Sequence, residues 1–119
     1  MNQKSPDTCI DTAVFAALKE LEVIAPGILS ELIALFFETT PKRLAKIKMG
    51  VATLDPEPIL AATHSLRASA GNLGAKRIGT LCLEIDAAAE KRQFGQLQPL
   101  FEDLETACTN AMNELQKWE

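Results

Sequence analysis

The spacing of apolar residues along the chain predicts an all-α protein. Apolar side chains recur every three or four positions, as on one face of an α-helix, and no segment alternates as a half-buried strand does. Five such stripes begin near Val14, Leu29, Ile59, Ile78 and Leu97. The last stripe, which runs to Trp118, is the most regular. We therefore predict an up-and-down antiparallel four-helix bundle, with the short first helix packed across one end.

Capping residues and a Pro-Gly pair delimit the first helix. Asp11 or Thr12 can cap its start, because a short polar side chain accepts hydrogen bonds from the free N–H groups there. The Pro-Gly pair at 26–27 ends it. Residues 1–9 are polar and include a proline, so we expect a flexible lead-in, followed by a single helical domain over residues 10–119.

The second helix is predicted from Ile28 to about Met49. Pro41 lies inside this segment, and an internal proline removes one hydrogen bond of the helix and kinks or opens it locally. Two shorter helices that meet at Pro41 are the alternative.

Two further proline positions set the starts of the third and fifth helices. Asp55-Pro56 is an N-cap followed by proline at the first helical position, and this helix should end near Gly71. A fourth helix follows and ends before residues 93–95. Pro99 fits only in a first turn, so the fifth helix should start near Gln98.

Composition and charge narrow the function classes. The chain has 119 residues, of which 47% are hydrophobic and 24% charged, which suits one globular domain. Its net charge of −4 argues against nucleic-acid binding, which usually shows as a basic excess. A local basic cluster is interpreted as a solvated helix face rather than a docking patch; it consists of Lys42, Arg43, Lys46 and Lys48.

Three cysteines, Cys9, Cys82 and Cys108, are odd in number and widely spaced. They are best explained as reduced thiols, the last two in the core, which suits a cytoplasmic protein. No apolar run approaches the ~18 residues of a membrane span. We therefore expect no direct membrane contact, and we expect a monomer.

The single histidine, His64, is the leading candidate for chemistry. On the third helix it lies away from the apolar stripe, so its side chain should point outward. Its neighbours one turn away are Ala61, Arg67 and Ala68, which are small or cationic. This setting leaves room for another molecule and favours an anionic group at the ring.

Several kinds of site are excluded by what the chain lacks. One histidine and three scattered cysteines do not supply a metal site, and no cofactor or nucleotide motif is present. No carboxylate lies within a turn of His64, as a catalytic triad would require. What is left is a histidine that accepts a phosphoryl group, with Arg67 placed to contact the phosphate oxygens.

The residues around His64 resemble the histidine-phosphotransfer (HPt) domains of multistep two-component relays. That family carries His-x-Leu-Lys-Gly-Ser on one helix, a Leu-Gly helix end, and a Cys with an acidic residue on the next helix. The matching positions here are His64, Leu66, Arg67, Ala68, Ser69, Leu73, Gly74, Ala75, Cys82 and Glu84. A Phe-x-x-x-x-Pro-x-Arg-Leu segment also matches, at Phe36, Pro41, Arg43 and Leu44. Arg67 and Ala68 depart from the usual lysine and glycine.

The resemblance implies that His64 exchanges a phosphoryl group with an aspartate of a receiver domain. The receiver would supply Mg²⁺ and most catalytic groups, so this chain would be a phosphocarrier without a catalytic site of its own. Arg67 is then the phosphate partner. The expected docking rim consists of Leu60, Ala61, Ala68 and Gly71.

Two functional alternatives stay open from the sequence. The chain is either a relay phosphocarrier, free-standing or the terminal module of a hybrid kinase, or a non-phosphorylated bundle that docks a receiver or kinase. The fourth helix has two flanks beside its apolar stripe, one with Leu83, Asp86 and Glu90 and the other with Glu84 and Lys91. The residue pattern does not decide which flank borders His64.

Overall fold

The computed structural model describes residues 10–117 and contains five helices and no strand within that range. The helices are α1 (Thr12–Ile24), α2 (Ile28–Thr53), α3 (Pro56–Asn72), α4 (Lys76–Glu90) and α5 (Phe94–Gln116). The predicted lead-in at residues 1–9, with Cys9, and the end of the last apolar stripe at Trp118 lie outside the described residues.

Helices α2 to α5 form the predicted four-helix bundle. Each packs against the next along the chain, and α5 returns to pack against α2. The predicted apolar stripes meet in one core, which includes Cys82 and Cys108. Burial raises the pKa of each of these two thiols to about 12, so both are neutral parts of the core.

The short helix α1 packs against α2 and is fastened to the turn between α3 and α4. The N–H of Asp11 donates to the carbonyl oxygen of Gly74 over 2.7 Å, and the Asp11 carboxylate pairs with Lys76 at 2.7 Å. Gly74 has φ of 78°, and a Cβ there would lie 3.0 Å from the Cβ of Val14. Only glycine suits this turn, for both reasons.

Helix α2 is continuous through Pro41, so the alternative of two shorter helices is wrong.

The carboxylate of Glu22 accepts hydrogen bonds from the N–H groups of Gly27 and Leu29 at the start of α2, and these bonds lower the pKa of Glu22. Near the other end, a Cβ on Gly50 would lie 2.5 Å from Cγ1 of Ile59. The glycine thus lets α2 and α3 approach closely.

The predicted start of the last helix near Gln98 is wrong, because α5 begins at Phe94 and holds Pro99 in its second turn. The earlier start buries Leu97 completely and packs Phe94 against the core. Burying a leucine contributes about 1.5–3 kcal/mol, which offsets an internal proline's cost of about 3 kcal/mol.

Within residues 10–117, no helix is both long and apolar enough to cross a membrane.

Candidate functional site

Helix α3 has one face in the core and one face open to solvent. The buried face consists of Ile59, Ala62, Thr63, Leu66 and Ala70, the stripe predicted from the sequence. His64 is exposed, as its position off that stripe predicted. The helix is therefore held rigidly by its inner face while the imidazole is accessible from outside.

The four residues predicted to surround His64 line this open side. Ala61, Ala68 and Gly71 are exposed, and Leu60 is half-buried against the core. Nothing lies within 4 Å of the position that a Cβ on Gly71 would take. The side chains around the imidazole are thus mostly small and apolar, and they leave room for a partner to approach.

Arg67 lies on the side of α3 that faces α4. Its side chain is half-buried, and its Cγ lies 3.8 Å from the position that a Cβ on Gly79 would take. The aliphatic part of Arg67 therefore packs against α4 at Gly79. No ion pair between the Arg67 guanidinium and a carboxylate of residues 10–117 is seen.

The structure shows which flank of α4 borders His64. The buried hydroxyl of Thr63, next to His64 on α3, forms a hydrogen bond with Oδ1 of Asp86 on α4. Leu83 and Glu90 lie one turn to either side of Asp86 on the same flank, and Leu83 is 52% exposed. This flank continues the surface around the imidazole.

The opposite flank of α4 faces α5. Glu84 and Lys91 there line a shallow groove together with Gln96 and Asp103 of α5. Glu84 is the acidic residue that matches the family pattern on this helix. It is therefore not the carboxylate beside His64.

The pKa of Asp86 departs clearly from the ordinary value of a carboxyl group. Burial raises the pKa of Asp86, and the negative charge of Glu90 adds to the increase. The hydrogen bond from Thr63 and the charges of Arg67 and His64 act in the opposite direction, lowering it. Asp86 therefore interacts with both residues that the sequence singled out for chemistry.

The position of Asp86 beside His64 was not predicted, although the sequence carried a signal for it. Two antiparallel helices joined by a short turn bring together residues at equal distances from that turn. Measured from the turn at Gly74-Ala75, Thr63 and Asp86 are at equal distances along the chain. Applied to α3 and α4, this rule would have placed Asp86 beside the His64 turn.

The basic cluster on α2 is partly structural. Arg43 is half-buried and donates to Oγ1 of Thr39 over 2.8 Å and to Oγ of Ser69 over 3.4 Å, which links α2 to α3. Lys42, Lys46 and Lys48 are exposed, in keeping with a solvated face. Between residues 10 and 117, no group of three or more His, Cys, Asp or Glu side chains could hold a metal ion.

Comparisons with known proteins agree with this architecture. The model of the Hpt domain family matches residues 31–118. A relative from Arabidopsis thaliana, histidine-containing phosphotransfer protein 2, is 31% identical over 84 residues, or 67% of this chain and 54% of that protein. The chain thus spans about half the length of that relative.

A solved structure has the same fold. The crystal structure of histidine-containing phosphotransfer protein B (HptB) from Pseudomonas aeruginosa PAO1 superposes with a TM-score of 0.83 at 20% identity. The match covers 96% of this chain and 95% of that one.

Proposed function

Since the chain belongs to the Hpt domain family, we propose that it carries a phosphoryl group on His64 between receiver domains of a two-component phosphorelay. The observation that carries this proposal is the exposed imidazole on a helix whose other face is fixed in the core. A partner can reach the ring without unfolding any part of the bundle.

The transfer requires one bond to form and one to break. A ring nitrogen of neutral His64 attacks the phosphorus of the receiver's aspartyl phosphate. The bond between phosphorus and the aspartate oxygen breaks, and the aspartate leaves as a carboxylate. Transfer to a second receiver reverses these events, and no oxidant or reductant is needed.

This chain contributes position and charge to that step. Phosphoryl transfer depends mostly on alignment and on stabilising the charge of the transferred group. Arg67 supplies positive charge near the imidazole, and its planar group of N–H donors suits phosphate oxygens. The receiver brings the aspartate and Mg²⁺. In this proposal the chain is a phosphocarrier with no catalytic site of its own.

The docking surface proposed for the receiver is the low rim around His64. Ala61, Ala68 and Gly71 are exposed there, Leu60 is half-buried, and Leu83 extends the apolar surface onto α4. An aspartate and its metal ion must come within bonding distance of the ring, and small side chains permit that approach. The expectations of a monomeric cytoplasmic protein without a nucleic-acid partner stay predictions.

The test is transfer of label from phosphorylated receiver domains encoded in the same genome. We expect label on this chain that is labile in acid and stable in base, as a phosphoramidate is, and none on the His64→Gln variant. Because His64 is exposed, that substitution should change stability by no more than ~0.5 kcal/mol. Ser65→Ala is the matched control and should accept label normally.

Label that persists on His64→Gln would contradict the proposal. Tight receiver binding with no label on the unmodified chain would instead support the alternative of a docking bundle that is not phosphorylated.

A further inference from the structure

The hydroxyl of Thr63 lies within hydrogen-bonding distance of two acceptors, one on Leu60 and one on Asp86. The Thr63 Oγ1 lies 3.1 Å from the carbonyl oxygen of Leu60 and also bonds to Oδ1 of Asp86. A threonine hydroxyl has a single proton to donate. When Asp86 is ionised, the hydroxyl donates to its carboxylate; when Asp86 is protonated, its O–H can donate to Thr63 while Thr63 donates to Leu60.

The groups that face Asp86 have opposite effects on its protonation. From α3 it faces Arg67, whose positive charge favours the carboxylate, and His64, which favours the carboxylate when the imidazole is protonated. From its own helix it faces Glu90, which disfavours the carboxylate, and the neutral thiol of Cys82. A change in the charge on His64 therefore alters the protonation of Asp86. In turn, the charge of Asp86 affects a charged group carried by His64.

We propose that Asp86 is a positioning residue for phosphoryl transfer: anchored by Thr63, its carboxylate draws Arg67 along α4 and disfavours a phosphoryl group on His64. This inference rests on the proposed function. It adds that a second charge, on a different helix, sets how readily the phosphorylated chain passes its group onward.

Two physical effects act in the same direction. A phosphoryl group brings roughly two negative charges to the ring at neutral pH, and these repel an ionised Asp86. The same carboxylate competes with the phosphoryl oxygens for the single guanidinium of Arg67. Protonation of Asp86 removes both effects, so the phosphorylated chain becomes a weaker donor as the pH falls.

The experiment compares Asp86→Asn with Glu84→Gln, which removes the same charge from the other flank of α4. Each variant is brought to equilibrium with a phosphorylated receiver, and the ratio of label on the chain to label on the receiver is measured from roughly pH 5.5 to 8. At neutral pH we expect Asp86→Asn to raise this ratio about fivefold, the size of a screened charge pair near a protein surface.

The pH profile separates charge from a structural effect. At each pH, the label ratio of the unmodified chain is divided by the label ratio of Asp86→Asn. This quotient should rise towards one as the pH falls and Asp86 takes up its proton. Glu84→Gln should follow the unmodified chain throughout, and Asp86→Glu, which restores the charge, should return the profile towards that of the unmodified chain.

An Asp86→Asn variant that takes label with the same ratio and pH profile as the unmodified chain would overturn this inference while leaving the proposed function intact. An equal effect of Glu84→Gln would also overturn it. Absence of label on every form, the unmodified chain included, would overturn the proposed function and this inference together.

Discussion

The two flanks of α4 carry similar residues and have different surroundings. Asp86 on one flank contacts Thr63 of α3 and interacts with His64 and Arg67, and its pKa is raised. Glu84, two positions earlier, is exposed and borders a groove against α5. A single helix thus presents one carboxylate to the candidate site and another to its opposite side.

This difference shows that the neighbouring helix, rather than the residue type, decides what a carboxylate does. Both are acidic residues of the same amphipathic helix, and both remain outside the core. Only the flank that packs beside the open face of α3 can influence a group bound at His64. Matched substitutions on the two flanks therefore test whether only the flank with Asp86 influences a group bound at His64.

The largest effect is expected from added bulk beside His64. Ala61→Gln or Ala68→Gln should slow phosphoryl transfer at least tenfold, about 1.4 kcal/mol in the barrier. The longer side chain would hold the receiver away from the ring. Glutamine is a fair helix former, so thermal stability should stay close to that of the unmodified chain.

The control for added bulk is Ala87→Gln, an exposed alanine on the other flank of α4. Its transfer rate, measured in the same receiver assay, should match that of the unmodified chain. Normal transfer by both Ala61→Gln and Ala68→Gln would show that the receiver approaches from another side.

A smaller effect is expected from removing positive charge. Arg67→Ala should slow transfer roughly fivefold, about 1 kcal/mol in the barrier, because the phosphoryl oxygens lose a charged donor. Receiver affinity should change much less. The same change at Lys91, on the flank that faces α5, should have no effect on either quantity. Lost affinity with an unchanged transfer rate would make Arg67 a docking contact instead.

The smallest effect concerns stability and pH. Because the folded state raises the pKa of Asp86 above its ordinary value of 3.8, stability from this group is present at low pH and is lost as the pH rises through the raised pKa. Asp86→Asn should therefore raise the melting temperature at neutral pH, and its advantage should shrink towards pH 4. Glu84→Gln should show no such trend. A melting temperature lowered by Asp86→Asn at neutral pH would mean that the carboxylate stabilises the fold.

Most of the fold could be predicted from the sequence, because helical periodicity and capping residues are local signals. Asp11 and Asp55 cap α1 and α3 as expected, each accepting a backbone hydrogen bond two residues on. The start of α5 could not be predicted in this way. It depends on the burial of Leu97 against other helices, which offsets the local preference of Pro99.

Helical periodicity predicted the site only on the helix that carries His64. The outward position of His64 follows from the phase of α3 alone, and so do the exposed Ala61 and Ala68. Asp86 requires knowing which flank of α4 packs against α3, and this is a property of two helices together. Periodicity within either helix carries no information about it.

The most direct test of the account is to locate the phosphoryl group on the labelled chain. Mass spectrometry of peptides prepared in alkaline conditions, where phosphohistidine persists, should place it on His64 and nowhere else. A phosphoryl group on any other residue, or none while the receiver loses its label only to water, would contradict the claim that His64 on the open face of α3 is the acceptor.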